Sequence, residues 1–201
     1  MPCHFHRENR RKSTCAGRPA QLALSVFLFI VALGLVKNAA ASIEFVQSVS
    51  TTQRTGQTAS KAFPKSVTSG NLIIVGVFVD VGATASVTDT LGDTFRQVSH
   101  QTVASDHDAN VFVGTASTSG ADAITVHAGS GMNVYEFSIH EYSGATTAVD
   151  VSTTVQGKGT ALASGSLTTV TANDLIFAWF TSGGNYINEH FQFHERGLYQ
   201  A

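Results

Sequence analysis

Four groups of residues in this 201-residue chain are of types that could do chemistry. The first is aromatic. Tyr135, Tyr142, Tyr186 and Trp179, the only tryptophan, carry rings that can stack on the apolar face of a pyranose while keeping a polar handle. Tyr142, Tyr186 and Trp179 are the candidates for a sugar platform, although Trp179 alternates in phase with Leu175 and Phe177 in an apolar stretch, where core packing competes for it. The second group is acidic. Asp106 and Asp108, in Asp106-His107-Asp108-Ala109-Asn110, could present hard oxygens to Ca²⁺ from a loop, and Asp89 and Asp93 flank Gly92 in a similar way. Neither run has the longer alternating acidic pattern of a dedicated calcium loop, and Asp and Asn are ordinary turn formers. No other cofactor is expected.

The third group is Glu189 to Glu195, where His190 and His194 stand four apart. On a helix that spacing would turn both toward one metal, but no third ligand is apparent and the same run alternates as a strand with Phe191 and Phe193 inward. The fourth is Glu136, His140 and Glu141, the closest cluster of titratable groups. On a strand, Glu136 and His140 share a face but stand roughly 13 Å apart, too far for a base and its orienting partner, and Glu141 points the other way. No Gly-x-Ser-x-Gly elbow, phosphate loop or paired-cysteine zinc motif occurs. The expectation is a chain that is not an enzyme.

The elements that must position these residues are strands. Asn71 to Asp80, NLIIVGVFVD, is apolar in both phases and rich in β-branched residues, which predicts a central strand buried on both faces. Ile43 to Ser50 and Gln57 to Phe63 precede it. Ser86 to Thr90 and Thr94 to His100 flank Leu91-Gly92-Asp93 and predict a hairpin with Gly92 in the left-handed conformation. Ala104 to Asn110 reads as a polar loop before a strand at Val111. Ala123 to Ala128 is a strand, and Asn133 to Tyr142 a half-buried one. Val149 to Val155 and Leu162 to Val170 read as Thr-rich strands, and Asp174 to Phe180 as a second strand apolar on both faces. About ten short strands separated by Gly and Ser turns, with no amphipathic helix, predict an all-β, two-sheet antiparallel β-sandwich wound like a jelly roll.

Residues 1–41 have a different character. Basic residues from Arg7 to Arg18 precede a 15-residue apolar run, Leu22 to Val36, and Lys37-Asn38-Ala39-Ala40-Ala41 follows. That order predicts a signal-peptide helix cleaved between Ala41 and Ser42, leaving residues 42–201 as the exported domain. The run is short of the roughly 20 residues that span a bilayer, so an uncleaved anchor through residues 22–36 is the alternative. Cys3 and Cys15 both precede the run, so the exported part has no disulfide. It carries six Lys and Arg against 13 Asp and Glu, a net charge of −7, which argues against nucleic acid and anionic membranes as partners.

SVTSGNLIIVGVF (Ser66 to Phe78), VTDTLGDTF (Val87 to Phe95), HEYSG (His140 to Gly144) and TANDLIFAWF (Thr171 to Phe180) together resemble secreted bacterial β-sandwich modules of jelly-roll or immunoglobulin-like type. The resemblance covers roughly Ile43 to Ser182. It implies an extracellular, non-catalytic module of the sort joined to carbohydrate-active or adhesive domains, with extracellular polysaccharide or a cell-surface component as partner. It supplies no active site. Such modules continue with further strands after the Trp179 segment, so the chain is expected to lack closing C-terminal strands. The functional expectation is polysaccharide binding, with a purely structural or adhesive domain second and a secreted hydrolase third.

Overall fold

The computed structural model describes residues 42–52, 56–103, 106–156, 165–171 and 174–181, all within the unit Ala41–Ala201. The signal-peptide expectation, Tyr186 and the histidine pair of residues 189–195 lie outside the described residues. What is described is all-β, without a helix. Its strands are β1 (Glu44–Thr52), β2 (Thr58–Ala62), β3 (Leu72–Asp80), β4 (Ser86–Asp89), β5 (Arg96–Val103), β6 (His107–Thr115), β7 (Ala123–His127) and β8 (Val134–Ser143). They form two antiparallel sheets, of five strands in the order β1-β8-β3-β6-β5 and of three in the order β2-β7-β4.

The strand Asn71 to Asp80 takes the place its composition demands. β3 is the middle of the larger sheet, and every residue from Leu72 to Val79 is buried. Alternation sends Ile73, Val75, Val77 and Val79 inward, where they meet Phe112 of β6, Phe137 and Ile139 of β8, and Ala59, Val87, Ile124 and Val126 of the smaller sheet. Its other face carries Leu72 and Ile74, which form a second apolar cluster with Val113 and Tyr142. A sheet apolar on both sides needs two covers. The smaller sheet is one, and residues 174–181 are the other: Leu175 and Phe177 pack on this second cluster.

Five expectations change. Asp174 to Phe180 is not a strand of the sheet; it is an extended strap lying on the sheet's outer face. Ser86 to His100 is not a hairpin. Gly92 does adopt the left-handed conformation, φ 79°, but the turn carries the chain from β4 in one sheet to β5 in the other. Residues 107–110 are strand and not loop, because Asp80, Val79, Phe78 and Val77 of β3 pair with them one by one; a long partner overrides the turn preference of Asp and Asn. β8 is buried on both faces from Phe137 to Tyr142, with the polar Ser138, His140 and Glu141 included. The two Thr-rich stretches, where described at 149–156 and 165–170, carry no strand, though Asp150 Oδ2 accepts from the Val170 N–H at 2.7 Å.

Candidate functional site

The outer face of the larger sheet is where the aromatic residues gather. Gly76 leaves a gap in the middle of β3, and the indole of Trp179 fills it: a Cβ at position 76 would stand 2.6 Å from Nε1 and 2.7 Å from Cδ1. Beside it the Phe177 ring meets the His140 imidazole edge-on, centroids 5.2 Å apart. His140 is 2 % exposed, and burial pulls its pKa down to about 4. Trp179 Nε1 and Ser138 Oγ are both buried without a hydrogen-bond partner among the described residues. At the far end of β3, Phe78 stacks on His107, and Tyr135 meets the same imidazole edge-on, centroids 4.6 Å apart. The Tyr135 hydroxyl donates to Asp80 Oδ1 at 2.6 Å, and the Asn133 N–H donates to Oδ2 at 2.7 Å. Burial would raise the Asp80 carboxyl, but the bonds from Tyr135 and Asn133 prevail and hold it below its ordinary range.

Of the sugar-platform candidates, Tyr142 and Trp179 are described and Tyr186 is not. Tyr142 is 1 % exposed and packs edge-on against Phe45 at 5.7 Å; burial raises its hydroxyl pKa. A ring so enclosed has no face for a sugar. Trp179 is half-buried on Gly76. The acidic pair parts. Asp106 is exposed and lies 2.8 Å from His107 Nδ1, whereas Asp108 turns inward and is 4 % exposed. There it accepts from Thr102 Oγ1 and from the Gly82 N–H, both at 2.8 Å, and lies 3.2 Å from His100 Nε2. Burial would raise Asp108, and those partners together hold it low. Among the described residues no group of three or more His, Cys, Asp or Glu side chains is arranged to hold a metal ion.

The cluster Glu136, His140 and Glu141 is divided by the sheet. His140 and Glu136 pair with Ile74 and Phe78 on the outer face, while Glu141 pairs with Ile73 and points inward. Glu141 is 0 % exposed. Its Oε1 accepts from Asn71 Nδ2 at 2.7 Å and from the Thr68 N–H at 2.8 Å, and its Oε2 accepts from Gln47 Nε2 at 2.6 Å. Gln47 in turn closes on both backbone groups of Lys65. This carboxylate ties β1, β8 and the loop before β3 together. Both of its oxygens are taken up by these hydrogen bonds.

An open cleft of about 340 Å³ lies where the turn after β4 meets the ends of β5 and β6. Asp93, Thr94, Arg96, Thr115, Ser117 and Thr147 line it. Its walls are pinned to each other. Asp89 Oδ1 accepts from the Gly92 and Asp93 N–H groups at 2.7 and 2.8 Å. Asp93 Oδ1 accepts from the Ser117 N–H at 2.8 Å, and Arg96 Nη2 donates to the Thr147 carbonyl. Burial pushes the Asp89 carboxyl up; the Asp93 N–H opposes this, and the charges of Asp122 and Asp93 add to it. One carboxylate, one guanidinium and four hydroxyls around an open floor can bind a neutral polyol by hydrogen bonds. The sequence reading singled out Asp93 alone among these, because the others are common residue types scattered from position 94 to 147 and only the fold brings them together.

No protein-family profile, no curated protein and no solved structure matches this chain.

Proposed function

We propose that this chain is a secreted, non-catalytic β-sandwich of jelly-roll type that binds extracellular polysaccharide. The observation that carries the reading is the open cleft at Asp93 and Arg96, where a carboxylate, a guanidinium and four hydroxyl-bearing residues stand beside the apolar Val113, a mixed lining of the kind that suits a sugar. The jelly-roll winding is supported by a chain that crosses between the two sheets at β1-β2, β2-β3, β3-β4, β4-β5, β6-β7 and β7-β8. Absence of catalysis is supported by the sheet dividing the titratable cluster, with Glu141 on the inner face hydrogen-bonded to Gln47, Thr68 and Asn71 and His140 on the outer face. Export rests on the order of basic, apolar and small residues before Ser42. Among the described residues no helix is long and apolar enough to cross a membrane. Exposed Val149, Val151, Val155 and Val170 favour the second reading, an adhesive surface for another protein.

The test is affinity electrophoresis of the full chain through gels containing soluble plant and bacterial polysaccharides. At least one polymer should retard it. Arg96→Ala should weaken that retardation roughly tenfold, about the value of one hydrogen bond to a charged group, with the far-ultraviolet circular dichroism of the sheets unchanged. Unretarded migration in every polymer contradicts polysaccharide binding, and retardation unaffected by Arg96→Ala places it elsewhere on the molecule.

A further inference from the structure

The charged groups of the cleft are not equally available to a ligand. Asp93 Oδ1 accepts from the Ser117 N–H at 2.8 Å, and its other oxygen is buried with no donor among the described residues. Two further carboxylates at the same turn are committed in the same manner. Asp89 Oδ1 accepts from the Gly92 and Asp93 N–H groups, Asp122 Oδ1 accepts from Thr90, and the second oxygen of each is buried. Arg96 is the opposite case. It is exposed, it gives one of its five N–H donors to the Thr147 carbonyl, and among the described residues no carboxylate lies within ion-pair distance of it. The acids are turned into the fold and the base is left facing out. Resting on the polysaccharide reading of this cleft, we infer that it selects an acidic sugar, the guanidinium of Arg96 taking the carboxylate of a uronate or the oxygens of a sulfate ester.

A guanidinium is planar and permanently charged, and after one N–H has gone to a carbonyl it keeps a pair of donors that match two oxygens of a carboxylate or sulfate. A neutral hydroxyl can meet the same donors, but such a bond is charged at one end only. With an acid it is charged at both and roughly twice as strong as a neutral one. The exposed hydroxyls of Thr94, Thr115 and Ser117 are left for the ring hydroxyls on either side of the acid, and Val113 for its C–H groups. The surroundings limit how acidic the polymer can be. Residues 42–201 carry a net charge of −7, and Asp89, Asp93 and Asp122 gather at the turn that forms one wall. Salt screens that field beyond about 8 Å, so one acid group seated on Arg96 escapes most of it. A polymer with an acid on every residue does not, because its neighbouring charges fall within that range of the wall. The ligand that fits carries acid groups spaced among neutral sugars.

The test is binding of the full 201-residue chain to immobilised polymers that differ only in charge. Pectins of graded methyl-esterification vary the carboxylate on one backbone, and dextran with and without sparse sulfate or carboxymethyl groups varies the acid on a neutral one. On at least one backbone the sparsely acidic form should bind roughly tenfold more tightly than its uncharged counterpart, the gain of a charge-assisted pair, and more tightly than the fully acidic form. Sulfate and carboxymethyl dextran compared with each other say which acid is preferred, and a preference for either supports the proposal. Arg96→Gln, which removes the charge and keeps a donor, should abolish the preference, leaving binding to the uncharged polymers little changed and the far-ultraviolet circular dichroism constant. Equal binding of charged and uncharged forms on both backbones, tightest binding to the fully acidic pectin, or a preference that survives Arg96→Gln would each overturn the acidic-sugar assignment while polysaccharide binding stands. Binding to none of these polymers or of the neutral ones overturns both.

Discussion

Glu141 is the side chain that does most to fix the end of the sandwich-like fold. A wholly buried carboxylate with no cation beside it among the described residues depends on hydrogen bonds to its oxygens, and Gln47, Thr68 and Asn71 supply those bonds from three separate segments. Glu141→Leu would leave the Thr68 N–H and the Asn71 amide without acceptors in a dry site. The expected cost is about 3 kcal/mol or more, read as a lower urea midpoint at unchanged slope; Glu141→Gln, which keeps one acceptor, should lose less than half of that. A Glu141→Leu protein as stable as the parent would mean that this network is not what holds β1 to the loop before β3. None of this was visible from residue types alone. The sequence showed Glu136, His140 and Glu141 as one cluster, and strand alternation correctly sent Glu141 to the opposite face. It did not reveal that both faces are buried, because burial of the polar face depends on the strap, more than thirty residues downstream.

The strap itself marks how far pattern reading reaches at the level of elements. Asp174 to Phe180 has the two-faced apolar alternation of a central strand, and β3, with the same signature, is one. Alternation records that side chains on both sides meet apolar surroundings; it carries no information on whether the backbone is paired. Gly76 was the available clue, since a glycine in the middle of a buried strand signals close approach by something else. Its partner is Trp179. Gly76→Ala should therefore push the indole from its seat. We expect a loss of about 1–3 kcal/mol from overpacking, together with a red shift of Trp179 emission at neutral pH and intact sheets by circular dichroism. Emission identical to the parent would show that the ring does not rest there. Turn chemistry had a similar limit: the left-handed Gly92 was legible, but whether its two strands pair or part to different sheets is decided by tertiary packing.

At the scale of the whole molecule, stability rests on two apolar layers sharing one sheet. Val75, 0 % exposed, lies in the inner layer, and Val75→Asp would bury a lone charge at a cost of several kcal/mol, comparable to the entire stability of a domain. No soluble, cooperatively unfolding Val75→Asp protein should be recovered. The all-β architecture and the central place of β3 could be read from composition and alternation, because those depend on local pattern. The cleft could not, since its lining spans positions 92 to 147. The larger sheet has five paired strands with residues 174–181 laid on its outer face, and hydrogen exchange of the full chain at pH 7 distinguishes the two kinds of contact. The amides of β3 and β8 should exchange only at the rate of global unfolding, and those from Leu175 to Phe180 on the order of a thousandfold faster. Protection of Leu175 to Phe180 equal to that of β3 would mean that the segment is a paired strand and not a strap.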